Sequence, residues 1–492
     1  MGTGTAMVIR AVPASRPSGH SAGAVHGLPD SGVGPKRASR GGVFGCELRL
    51  TILVLAPLCI PSLLFAQPAN QAVRQAPLTG SNFDLRLGAG HSDNVRRVSV
   101  NPQSDTYSLI GFSGGIERSS PRFVTSVVAD IERRNYSDGT YLDEPYGNLD
   151  ANVEVYAVPD RFSWEFSDLY GQSRIDPLLV ASPLNQQQVN VLSTGPRLAL
   201  PLGGRTSLDV VATRSKRTYE DTTAFDAETD YGQLAVSRAT SATTTLSFTA
   251  TSRKIDYRFT QQQNSIRAMY LGYRRQLASG SAGLSLGKNE VDFGASSRSS
   301  PYVDLSWARA LGSRSNLSIS VTNRLGDFGD NFGLTNLVTS SVQSLDNTLL
   351  SADVFDQTMA SVTYSMSFDR SQLTLSARLV EERYEYETSL DSDQNRWALS
   401  YQRSIASQLT LGLDIYRADR DFQQSTLTNK NRTARLRLQR GFGQRLSLDF
   451  AYEHYSGAAL NVTDFSEDSY RVTVRYRLNR RPLTNGASSN PL

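Results

Sequence analysis

The sequence predicts an all-β fold: a transmembrane, antiparallel, up-and-down β-barrel of about 18–20 strands. Three observations carry that prediction. Apolar and polar residues alternate with period two from Phe83 to Arg480, the mark of strands with one apolar and one polar face. Short links between the alternating segments take turns with longer polar ones, as a barrel with tight turns at one rim and loops at the other requires. Composition removes the main alternative. The 492 residues are 39% hydrophobic and 20% charged, with a mean hydropathy of −0.35, too polar for repeated apolar helices of about 20 residues. A barrel wall needs an apolar residue only at every second position.

Residues 1–46 are rich in Gly, Ser, Ala, Pro and Arg and lack periodicity. They read as a disordered extension or an over-extended translation start. Residues 47–66 read as a signal peptide: the apolar run Leu50–Phe65 follows Arg49 and ends at Ala66, after which cleavage is expected. The competing reading is a membrane anchor, and Pro57 and Pro61 within so short a run argue against it. Leu58 is too bulky beside Cys59 for a lipoprotein processing site. Residues 67–82 are then a periplasmic segment, 83–480 the barrel and 481–492 a C-terminal tail. Both cysteines, Cys46 and Cys59, lie upstream of the cut, so the mature chain has none, which suits an oxidising periplasm. A balance of 51 Lys+Arg against 47 Asp+Glu, net +4, is too weak to suggest a nucleic-acid partner.

Within the barrel the last segment alternates most cleanly. Tyr470, Val472, Val474, Tyr476 and Leu478 share one parity, and Arg471, Thr473, Arg475 and Arg477 the other. Links such as Ser119–Arg122, Val158–Arg161 and Gly441–Arg445 are short, whereas His91–Asp105, Arg174–Gln186 and Gly326–Asp353 are long. Nine short links alternating with ten longer ones join about 20 strands. In hydrocarbon every backbone amide must pair, so the first and last strands have to join. An even count puts both termini in the periplasm. At this size the interior is too wide for side chains to fill, so an aqueous lumen or a plug is expected. The longest link, Gly326–Asp353, either folds into that lumen or lies outside it.

If the apolar parity faces lipid, the polar parity lines the lumen. Asp84, Arg86, Asp130, Glu132, Arg134 and Arg378 fall there, with Asp449 and Glu453. Arg435, Arg437, Arg471, Arg475 and Arg477 cluster on nearby strands as a basic wall. That wall either attracts anionic solutes by focusing the field or is neutralised by Asp449 and Glu453 on the strand between. Tyr136, Tyr219, Tyr257, Tyr384, Tyr386 and Tyr455 sit where strands run into long links. They read as an outer aromatic girdle or as the ordinary strand preference for aromatics.

Enzyme chemistry finds few parts. His-Glu-x-x-His does not occur. His91 and His454 are candidate general bases or plain polar loop residues. Asp93 and Asn94 with Asp105 offer oxygen ligands for Ca²⁺, against Asx-type turn chemistry. Adjacent carboxylates such as Glu381 and Glu382 point to opposite faces and form no dyad. No enzyme activity, cofactor or metal is expected.

One stretch carries a family resemblance. Gly88-Ala-Gly-His-Ser-Asp-Asn-Val95, then Ser104-Asp-Thr-Tyr107, then Arg134-Asn-Tyr136-Ser-Asp138 and Leu142-Asp143, resembles the opening of bacterial outer-membrane β-barrels encoded with exopolysaccharide operons. These are related to the β-barrel porin 2 group and to PEP-CTERM-associated barrels. His91 stands where that group has an aromatic residue. The resemblance is firm over about 83–200 and architectural beyond. It implies an outer-membrane protein that provides or supports a path for exopolysaccharide export. Its implied partners are outer-membrane lipid, the barrel-assembly machinery, polysaccharide and periplasmic export components. The rival reading is a general or anion-preferring diffusion porin for small solutes, and the third a barrel enzyme at the outer rim. Such barrels often end in a terminal aromatic, but here Tyr476-Arg-Leu478 precedes a polar tail. Either assembly reads the internal strand or the tail is a periplasmic contact segment.

Overall fold

The computed structural model describes residues 79–141, 145–176, 178–180, 182–259, 262–293, 297–327, 353–424, 428–459 and 462–479. The expected N-terminal extension, signal peptide and C-terminal tail lie outside these residues, as do Leu142, Asp143 and most of the longest link. Twenty strands are present. The first ten are β1 Thr79–Ser92, β2 Asp105–Ser120, β3 Phe123–Tyr136, β4 Pro145–Val158, β5 Phe162–Arg174, β6 Gln186–Gly203, β7 Thr206–Tyr219, β8 Ala227–Ala239, β9 Thr244–Tyr257 and β10 Gln263–Leu277. The others are β11 Gly280–Asp292, β12 Ser297–Ala310, β13 Ser315–Gly326, β14 Phe355–Ser367, β15 Ser371–Tyr384, β16 Ser392–Ala406, β17 Leu409–Phe422, β18 Thr428–Phe442, β19 Leu446–Ala459 and β20 Val462–Arg477. β1 starts earlier than the alternation from Phe83 suggests. Strand lengths run from 12 to 18 residues, more than the roughly 9–11 a tilted strand needs to cross hydrocarbon, so the wall extends past the apolar layer.

Each strand pairs antiparallel with its sequence neighbours, and β20 pairs antiparallel with β1, from Asp84↔Arg477 to Ser92↔Ser469. The sheet therefore has no free edge, as a wall in lipid demands. Beyond the last ladder bond the seam is held by Asn479. Its side chain accepts from the Phe83 amide at 3.1 Å and donates to Ser81, while the Leu478 amide donates to the Phe83 carbonyl at 2.8 Å. The Gly88-x-Gly90 stretch has a physical reason at this seam. A Cβ on Gly88 would sit 2.4 Å from the Val472 carbonyl oxygen, and one on Gly90 would sit 2.4 Å from the Tyr107 ring. Only a residue without a side chain lets both neighbours approach.

The two faces are inverted relative to a water-soluble sheet. Leu85, Leu87, Ile110, Leu246, Phe248, Leu436, Val472 and Val474 point outward and are exposed, Leu87 to 59%. Asp84, Glu132, Glu165, Arg217 and Glu382 are buried on the other parity. Leaving so much contiguous apolar surface in water is untenable; in a bilayer it is the lipid face. No helix among the described residues is long and apolar enough to cross a membrane.

Candidate functional site: the lumen wall and its mouth

The expected lumen residues share the inner face, and the structure adds their partners. Arg435 Nε donates to Glu453 at 2.6 Å, and Arg437 to Asp414 at 2.6 Å. Arg475 faces Asp449 at 3.6 Å, Arg477 faces Asp84 at 3.5 Å, and Arg471 faces Glu132 at 3.9 Å. Glu132 also accepts from Arg134 at 2.8 Å, and Arg86 pairs with Asp130. All five arginines of the basic wall are thus brought together on β18 and β20, each within reach of a carboxylate on the same face. The result is a lattice of alternating sign across β17, β18, β19, β20, β1 and β3. Such a wall is polar and wettable without being strongly cationic.

The tyrosines are placed differently from the expected girdle. Tyr136, Tyr219, Tyr257, Tyr384 and Tyr455 are all buried, Tyr257 to 2% exposure. They lie on the inward parity, as Arg134, Arg217, Arg253, Glu382 and Glu453 of the same strands do. This corrects the girdle reading, and the reason is period two itself: a tyrosine an even number of residues from an inward charge also points inward. Tyr386 lies beyond β15 in a link, exposed to 58%, with its ring edge-on to Phe293 at 5.0 Å. Several lipid-facing aromatics lie toward the other rim instead. Trp164, Tyr273, Trp307, Tyr364 and Phe442 lie on the outward parity toward a short turn, and Tyr476 lies there opposite Leu446 at the start of β19.

The inward tyrosines form a collar on which the long links pack. Tyr136 lies between Tyr107 and Tyr141, with ring centroids 5.5 and 5.4 Å apart, and Val95 from the first link joins this cluster. Tyr141 donates to the Val95 carbonyl at 2.9 Å, and burial pushes its hydroxyl pKa well up. Arg97 stacks 3.9 Å over Tyr455 and pairs with Glu467 at 2.8 Å. Phe225 meets Tyr219 edge-on at 6.4 Å. Each contact turns a link toward the barrel axis.

Two links reach across. The segment 175–185 leaves β5, and its Leu178 packs against Phe355, Tyr384 and Phe422 on β14, β15 and β17. β5 and β15 are half-way round the ring from one another, so this contact spans the lumen. Val180 of the same segment packs with Tyr455 and Phe465 on β19 and β20. The crossing is held in shape by Asn185, which accepts from the Asp176 amide at 2.8 Å and donates to the carbonyls of Asp176 and Val180 at 2.8 and 3.0 Å. From β13, Asp327 reaches Arg217 on β7 at 3.1 Å and Arg253 on β9 at 3.4 Å. The rest of the Gly326–Asp353 link lies outside the described residues, apart from Asp353, which accepts from the Tyr386 and Glu387 amides at 2.7 and 2.9 Å.

The remaining candidates resolve locally. Asn94 closes its own turn, accepting from the Val98 amide at 3.1 Å and donating to the Val98 carbonyl at 2.7 Å, which is Asx-type chemistry. Asp105 accepts from the amides of Asp138 and Thr140. No group of three or more potential metal ligands occurs among the described residues. His91 lies 3.1 Å from the Thr106 hydroxyl, and His454 lies 2.8 Å from Asp468, both on the outward parity. Sequence reasoning did not find the crossing at 175–185, although an apolar Leu178-Leu179-Val180 inside a polar link was its signal.

Closure of twenty strands, with apolar residues outside and paired charges within, decides the class. The chain is an outer-membrane β-barrel. Within it, the lumen and its mouth are the site of any passage. No family model and no curated protein matches the chain. Among solved structures it is similar to OccK2 (OpdF) of Pseudomonas aeruginosa, at 11% identity over 81% of this chain and 98% of that one, with a TM-score of 0.36. It is similar to OpdQ of the same organism, at 10% identity over 81% and 97%, TM-score 0.38. It is also similar to the siderophore receptor PirA from Pseudomonas aeruginosa, at 10% identity over 82% and 81%, TM-score 0.41. The fold rests on the strand pairing described above and not on these likenesses.

Proposed function

We propose that this porin-like barrel is a diffusion channel for small polar solutes, non-enzymatic, with its width set by links folded into the mouth. The observation that carries the reading is the polar inner face of a closed twenty-strand wall, crossed at one level by 175–185. A barrel of this size is too wide to be filled by wall side chains alone, and inward links are the means by which such a lumen is narrowed. Mutually paired charges along the wall offer hydrogen-bonding sites to neutral and zwitterionic solutes while holding little net field. Liposome swelling with sugars and amino acids of increasing size tests it: small solutes are expected to enter and oligosaccharides to be excluded. Equal rates with empty liposomes would contradict the reading.

Export of exopolysaccharide is the second reading, favoured by the Gly88–Val95 and Ser104–Tyr107 stretches. A polymer would need the crossing at 175–185 to move aside. An in-frame deletion in the native host, with polysaccharide measured outside the cells and in the periplasm, separates the two: loss outside with build-up within supports export, and normal secretion leaves the diffusion channel.

A further inference from the structure

The charge of the two rims differs in kind. At the long-link rim the outward charges come in opposite-sign pairs: Lys254 with Asp256 at 3.0 Å, Lys288 with Glu290 at 3.6 Å, and Arg214 with Glu228 at 2.6 Å. The short-turn rim is predominantly basic. The turns themselves hold Arg122, Arg161, Arg205, Arg314, Arg370 and Arg445. The last four residues of the strands entering them add Arg118, Arg238, Arg275, Arg309, Arg403 and Arg440 on the outward parity, each exposed. Against these stand Glu117, Asp160 and Asp369, of which Asp369 pairs with Arg314 at 2.7 Å. Acids just above, such as Asp209 and Asp449, face the lumen and are engaged there by Arg197 and Arg475.

These outward arginines share their face with the aromatic belt. Arg275 follows Tyr273 by two residues and Arg309 follows Trp307 by two, while Arg440 stacks 5.4 Å from Phe442. Alternation therefore puts Arg275 and Arg309 directly past a ring at the edge of the hydrocarbon, and Arg440 beside one. An arginine there keeps its stem along apolar surface and its head among headgroups. Between two neighbouring turns the rim also forms a pocket of about 690 Å³, lined by Gly203, Gly204, Arg205, Thr206, Arg238 and Ala239. Among the described residues neither Arg205 nor Arg238 meets a carboxylate. Gly203 and Gly204 both have positive φ, 102° and 57°, a turn form that keeps side chains out of the opening.

We propose that the short-turn rim is a binding belt for anionic phospholipid headgroups of the periplasmic leaflet, with the pocket at Arg205 and Arg238 its best-formed seat. Guanidinium is suited to phosphate because its donors match two oxygens at once. Placement on the lipid side of the wall, level with the aromatic belt, favours a lipid over a soluble periplasmic polyanion. Orientation follows from the short turns, which face the periplasm in such barrels.

The test uses the full chain purified in neutral detergent, with retained lipid counted by native mass spectrometry after exposure to equal phosphatidylglycerol and phosphatidylcholine. Wild type is expected to retain phosphatidylglycerol in several-fold excess. Arg205→Gln with Arg238→Gln should remove the most tightly held copy, and adding Arg275→Gln, Arg309→Gln and Arg403→Gln should bring the two lipids to parity. All five are exposed, and unchanged heat-modifiable mobility certifies the fold; should the fivefold variant misfold, the double variant decides. Equal retention by wild type, or an unchanged preference in the folded variants, overturns the proposal. Displacement of the lipid by millimolar inorganic phosphate would reassign the seat to free phosphate. Displacement by dextran sulfate, with no preference between the lipids, would reassign the belt to a soluble polyanion.

Discussion

Arg217 and Asp327 meet at 3.1 Å across the mouth of the barrel, joining β7 to the residue that follows β13. Both are buried, and Arg253 approaches the second carboxylate oxygen at 3.4 Å. Removing the acid takes a shared carboxylate partner from two guanidinium groups. Asp327→Ala is expected to destabilise this end of the wall by about 3–5 kcal/mol, the usual cost of orphaning a buried charge. Urea unfolding followed by the fluorescence of Trp164, Trp307 and Trp397 would register the loss.

The collar is a packing device, so truncating it should cost stability and not membrane anchoring. Tyr384 lies 5.0 Å from Phe355 and beneath Leu178 and Leu390. Tyr384→Ala should cost roughly 3–5 kcal/mol, the range for deleting a buried aromatic side chain, and should raise protease sensitivity of the 175–185 segment. A lipid-facing tyrosine would show neither effect.

The closing seam depends on Gly88. Gly88→Val forces a side chain against the Val472 carbonyl, an overpacking that costs about 1–3 kcal/mol in a well-packed setting. Less heat-modifiable barrel in the outer-membrane fraction is expected. Gly232→Ala is the control, because a Cβ there meets nothing within 4 Å, and it should assemble normally.

Charge pairing on the wall sets ion preference. The triple change Arg435→Gln, Arg437→Gln and Arg475→Gln frees Glu453, Asp414 and Asp449 from their partners. The reversal potential in a KCl gradient should move toward cation preference. The shift should shrink at 1 M salt, where the screening length is about 3 Å. An unchanged reversal potential at low salt would place the permeation path elsewhere.

Much of this was legible in the sequence, because the wall is local information. Alternation in Tyr470–Leu478, with arginines between, states which residues meet lipid and which meet the lumen, and link lengths count the strands. Parity also held the answer for the tyrosines: Tyr136 is two residues from Arg134 and shares its direction. Position near a long link was the weaker guide. What could not be read was contact between links and distant strands. Leu178 with Tyr384, and Asp327 with Arg217, join residues far apart in the chain, and period two says nothing about a segment once it leaves the sheet. The apolar run at Leu178–Val180, out of place in an exposed loop, was the one local trace of the crossing. Asn479 was likewise unreadable as the clasp of the seam, since it lies past the last alternating residue.

The central claim is a lumen narrowed by 175–185. Single-channel conductance in planar bilayers tests it most directly, comparing wild type with a chain whose residues 177–184 are replaced by a short Gly-Ser linker. Discrete conductance steps from wild type, and larger steps from the replacement, are the predicted result. Equal steps from both chains, or no conductance from either, would contradict it.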